Sequence, residues 1–99
     1  MAKVLLIGSH PERTRYAVRR LRGEGWQVRG VVGPDAGIAA IEGITEVDAV
    51  VLGGPAVLEE LPALRKTLSQ KHPYAKIVIA FRPDRISQDI VTAMGGEAH

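Results

Sequence analysis

The chain of 99 residues contains no cysteine and no asparagine, and only one tryptophan, one phenylalanine and two methionines. Without cysteine it can build neither a disulfide framework nor a thiolate metal site. Its histidines, His10, His72 and His99, stand too far apart for a local ligand motif, so neither a metal nor a cofactor is expected. Long apolar runs are missing as well. The longest early one, Val4 to Ile7, is too short for the apolar region of a signal peptide or for a membrane span, which points to a cytoplasmic protein without membrane contact. Lysine and arginine are absent from residues 31–62, a stretch that holds six acids. Residues 1–30 carry seven Lys/Arg against two acids, and residues 63–99 carry six against three. The net charge of +2 therefore conceals a charge dipole.

What is present is organised. The length suits one domain over residues 1–99 with one core, burying about 60% of the surface that the unfolded chain would expose. Four runs rich in β-branched residues read as strands: KVLLIG (3–8), WQVRGVV (26–32), DAVVLG (48–53) and KIVIAF (76–81). The first, third and fourth are apolar without alternation, as strands covered on both faces are, whereas the second alternates and suits a sheet edge. Between them lie segments of helical period. Thr14, Ala17, Val18 and Leu21 form one stripe, with Ser9 or His10 capping before Pro11 and with Gly23 and Gly25 at the end. A second helix is capped by Asp35 and faces Ala40, Ile41 and Ile44 inward. A third starts at Pro62, after a separate turn at 55–61, buries Leu61, Leu64 and Leu68, and stops at His72-Pro73. The last, capped by Asp84, places Ile86, Ile90, Val91 and Met94 on one side and ends at Gly95-Gly96. This alternation predicts an α/β three-layer sandwich, flavodoxin-like or Rossmann-like, with a four-stranded parallel sheet in the order 2-1-3-4.

These residues resemble the receiver domains of two-component response regulators. VLLIGSHPE stands where such a domain has its first strand and paired acids, GEGWQVRGVVGPDAGIAAI matches the second strand and helix, and the interval from Gly53 to His72-Pro73 matches the third strand and its helix. The resemblance implies a site at the carboxyl ends of the strands and a helical face that docks partners. It also implies what has been removed. Gly8 and Ser9 replace the paired acids, Gly53 replaces the phosphoacceptor, Ala80 or Phe81 stands where a hydroxyl belongs, and the fifth strand with its lysine is missing. Aspartyl phosphorylation needs a carboxylate nucleophile and a hard cation held by oxygens, so neither an acyl phosphate nor Mg²⁺ binding is expected.

Three candidate surfaces remain. Gly8, Ser9, His10, Gly53 and Gly54, with Arg13 and Arg82 in reach, converge where open α/β sheets bind ligands and could hold a nucleotide or phosphate. No G-x-G-x-x-G and no P-loop accompanies them, and turn glycines with a capping Ser9 or His10 account for the same residues. Catalysis by Ser9 beside His10 lacks an acid to orient the imidazole. The first helix presents Arg13, Arg15, Arg19, Arg20 and Arg22 around Tyr16, a face suited to a protein partner or, less readily, to nucleic acid. Trp26 is expected to cover the end of the core with its N–H near water. Finally, Ile77, Val78, Ile79 and Phe81 give an edge strand the composition of an interior one, which predicts a homodimer across that edge. The reading favoured by the residues is a non-catalytic, self-associating interaction module, and the alternative is a small phosphate- or nucleotide-binding domain.

Overall fold

The computed structural model describes residues 2–80 and 82–94. Four strands, β1 (Lys3–Gly8), β2 (Gln27–Val32), β3 (Ala49–Gly53) and β4 (Lys76–Ala80), form one parallel sheet in the order β2-β1-β3-β4. Helices α1 (Pro11–Gly23), α2 (Pro34–Gly43), α3 (Pro55–Leu58), α4 (Leu61–Lys71) and α5 (Ile86–Ala93) make the crossovers and cover the sheet. The strand order and the layering are those expected from the sequence and are consistent with a flavodoxin-like fold.

The sheet divides the interior in two, so the single core expected from chain length is a pair of cores. Val4 and Leu6 pack with Ala17, Leu21, Val51, Val78, Ile86 and Ile90 on one face. Leu5 and Ile7 pack with Ala40, Ile41, Val50, Leu52, Leu64 and Leu68 on the other. Side chains alternate across a strand, so the unbroken apolar run of β1 serves both faces. Full burial of each such side chain contributes about 1.5–3 kcal/mol. Leu5 and Ile7, both 0% exposed, anchor the centre.

Local chemistry explains where the helices begin and end, and in several places it differs from the expectation. At the end of α1, Trp26 N–H donates to Leu21 O and Gly25 N–H to Arg22 O, with Gly25 at φ 97°, which is a Schellman closure. The third helical region splits, because Pro62 has no N–H for the Leu58 carbonyl and α4 starts afresh behind Glu60. Asp35 does not cap α2. Gly33, at φ 95°, occupies the cap position, and Asp35 lies inside the first turn, where its charge suits the helix dipole. Ile44 is already extended beyond α2. Asp84 likewise caps nothing. It sits in the 3₁₀ turn Pro83–Arg85 and pairs with Arg82 at 3.4 Å. On α5, Ile86 and Ile90 are buried, but Val91 and Met94 are each 37% exposed, because α5 lies over an edge strand and only its inner half meets the core. The expected helix end at Gly95-Gly96 lies outside the described residues.

Candidate functional site

The site is built where β1 and β3 end. A cleft of about 100 Å³ opens there, and all seven ligand-site candidates, Gly8, Ser9, His10, Arg13, Gly53, Gly54 and Arg82, line it. Its inner wall is apolar, formed by Leu6, Ala17, Ala80 and Ile86. Among the described residues, no aspartate or glutamate lines it. A volume of that size falls below the ~300 Å³ at which pockets for drug-sized ligands begin.

Ser9 has a role that its local sequence does not reveal. Its hydroxyl donates to Gly53 O at 3.0 Å and accepts from Val57 N–H at 3.2 Å. It thus caps α3, a helix more than forty residues away in sequence, and not α1, which His10 begins without any side-chain cap bond. The serine stands in for a side chain that Gly54 cannot carry. Gly54 has φ 88°, and a Cβ there would collide with the Ser9 side chain. With its proton and one acceptor lone pair used on backbone, the Ser9 hydroxyl is a tie between two loops.

Gly8 is explained in the same way, since a Cβ on it would run into Thr14, whose hydroxyl donates to His10 O at 2.7 Å. Gly53 is different. Its backbone is ordinary, and a Cβ would meet only the Ala80 carbonyl oxygen at 3.6 Å.

The arginine face of α1 is narrower than the sequence suggests. Arg22 donates from Nε and Nη2 to Val28 O at 3.2 and 2.9 Å and so ties α1 to β2. Arg20 meets the Tyr16 hydroxyl at 3.3 Å and the Glu24 carboxylate at 3.6 Å, and the Tyr16 hydrogen bond, aided by Glu24, raises its pKa further. Arg13, Arg15 and Arg19 make no side-chain hydrogen bond or ion pair among the described residues, and beside them Tyr16 is 51% exposed. Trp26 packs partly buried against the core, as expected, but its indole N–H donates to Ser87 Oγ at 2.8 Å in a part-buried bond.

The edge strand carries the remaining candidates. Lys76 N–H donates to Asp48 O at 2.9 Å. In a parallel ladder the N–H and C=O of one residue point to the same side and alternate along the strand, so Lys76, Val78 and Ala80 face β3. The peptide groups of Ile77 and Ile79 consequently face outward, where no described strand pairs with them. Because Val78 faces β3, its N–H serves the ladder and not the free edge where the sequence grouped it with Ile77 and Ile79, and its side chain, 5% exposed, belongs to the core. Phe81 lies outside the described residues.

At the opposite end of the sheet, Asp48 joins three strands. Its carboxylate accepts from Lys3 N–H at 2.7 Å, its N–H donates to Lys3 O, and its carbonyl receives Lys76. The Lys3 ammonium hydrogen-bonds Glu46 at 2.8 Å, which raises its pKa. His72 Nε2 lies 3.0 Å from Ile41 O and links the end of α4 to α2. No cluster of three or more potential metal ligands occurs among the described residues, and no described helix is long and apolar enough to cross a membrane. The chain matches no protein-family model and no curated protein.

Proposed function

We propose that this chain is a non-catalytic interaction module of the cytoplasm, a receiver-like shell that pairs with a second copy of itself along the outer edge of β4. The observation that carries the reading is the outward direction of the Ile77 and Ile79 peptide groups on a strand of apolar composition. The sheet's other edge is different in kind. There β2 exposes Gln27, Arg29, Gly30 and Val32, and the charge of Arg29 in mid-strand discourages pairing. On β4 only Lys76 opposes it.

A two-fold axis beside Val78 sets Ile77 opposite the partner subunit's Ile79, and the reverse. Residues that face outward then pair with residues that face outward, and each pair exchanges both of its backbone bonds. Side chains of directly opposed residues share one face of the sheet, so these isoleucines extend the core that Ile77 already joins beside α4. The non-catalytic part of the reading is supported by the cleft, which among the described residues offers no carboxylate and holds a Ser9 hydroxyl already committed to two backbone groups.

Light scattering on three proteins tests the proposal. The wild type is expected at twice the monomer mass. Ile79→Pro removes an outward donor from an edge strand, a position that tolerates proline, and should give a folded monomer. Val78→Pro removes a bond of the β3 ladder and should unfold the chain. A wild type that stays monomeric at high micromolar concentration ends the proposal.

A further inference from the structure

We infer that the cleft at the carboxyl ends of β1 and β3 binds a small oxyanion, either inorganic phosphate or the phosphate end of a phosphomonoester. The inference stands apart from dimerisation, which uses the edge of β4.

The first argument is the vacancy at Gly53. Of the three cleft glycines, Gly8 and Gly54 are required by the Thr14 and Ser9 side chains that occupy their Cβ positions. Gly53 has neither a strained backbone nor an occupied Cβ position. Glycine in a strand sacrifices packing and chain entropy, and it commonly marks a place that something else approaches closely. The thing kept open here is the cleft.

The second argument is charge. Arg13 and Arg82 line the cleft with His10, and among the described residues no acid does. Arg82 pairs with Asp84 at 3.4 Å, with the two side chains 68% and 49% exposed. Such an exposed pair is worth little, so the guanidinium is free to turn to a better acceptor. Guanidinium groups match phosphate oxygens in a two-pronged geometry.

Size selects the class of ligand. The cleft of about 100 Å³ has room for a few water molecules or one tetrahedral anion, and a base or sugar attached to that anion would have to lie outside. The apolar wall of Leu6, Ala17 and Ile86 lowers the local dielectric and strengthens attraction to the arginines.

The test is a titration of ¹⁵N-labelled protein with inorganic phosphate, with ionic strength held constant by chloride. Saturable shifts of the Ser9, Gly53 and Gly54 amides are expected, fitted by one constant. Arg13→Gln and Arg82→Gln should each weaken binding about tenfold, the ratio that loss of a charge-assisted bond of ~1.4 kcal/mol gives. Gly53→Val, which has room for its Cβ, should remain folded and lose the shifts. Repeating the titration with glycerol phosphate separates the sources. Tighter binding than inorganic phosphate assigns an ester as the ligand, and weaker binding assigns the free ion. Shifts that rise without saturation, that spread over Arg15 and Arg19 as over the cleft, or that persist in Gly53→Val overturn the inference.

Discussion

A methyl group added at position 8 runs into Thr14, whereas one added at position 53 finds space, although both glycines end a strand at the same cleft. The difference becomes a measurement. Gly8→Ala should destabilise the protein by more than ~1 kcal/mol because the Thr14 hydroxyl must move, and Gly53→Ala should stay within about 0.5 kcal/mol of the wild type. Adding Thr14→Ala to Gly8→Ala removes the atom in the way and should recover part of the loss, as residues in contact do not act additively. Urea denaturation of the four proteins checks this. Equal losses for Gly8→Ala and Gly53→Ala would falsify the packing account. In the sequence these two glycines look alike, because each follows an apolar run, and only the neighbour across the fold tells them apart.

Among the elements, α5 has the simplest attachment to examine. It buries Ile86 and Ile90 against β4 and β3 and carries Ser87, whose hydroxyl accepts the Trp26 indole N–H at 2.8 Å. The chain has a single tryptophan, so its fluorescence reports on the surroundings of Trp26, this bond among them. Ser87→Ala should cost about 0.5–1.5 kcal/mol and shift the emission of Trp26, since a half-buried donor loses its partner. An unchanged spectrum and midpoint would mean that the bond contributes nothing. The apolar stripe of α5 was legible in its spacing, but its division was not. Val91 and Met94 follow the same period as Ile86 and Ile90 and remain exposed, because an outermost helix has a core on one side only.

For the molecule as a whole, the sheet is the structure on which every site depends. Leu6 lies within it at 3% exposure, while Arg19 stands on the solvent side of α1. Leu6→Asp buries an unpaired carboxylate at a cost of several kcal/mol, a large part of the ~5–15 kcal/mol that holds a domain together. Arg19→Asp changes a solvated charge and should cost less than about 0.5 kcal/mol. Thermal melting should therefore separate the two widely, and similar midpoints would refute the placement of β1 at the centre. Arg19→Asp also probes the face of Arg13, Arg15 and Arg19 without disturbing the fold.

The arrangement of strands and helices was determined by the sequence alone, because it rests on periodicity among near neighbours. Unbroken apolar runs marked β1, β3 and β4, alternation marked β2 as an edge, and three- and four-residue spacing marked Thr14, Ala17 and Leu21 as the inner stripe of α1. The residues of the cleft were also legible as a group, since parallel strands all end on one side. What each of them does was decided by tertiary structure. Ser9 bonds to Gly53 and Val57, 44 and 48 residues away, and Trp26 bonds to Ser87, 61 residues away. Arg22 turns from the solvent face of α1 to the Val28 carbonyl. The outward direction of Ile77 and Ile79 depends on the register that Lys76 makes with Asp48. Hydrogen bonds and steric contacts act over a few ångströms of space whatever the separation along the chain, so partners this distant leave no local pattern by which they could be read.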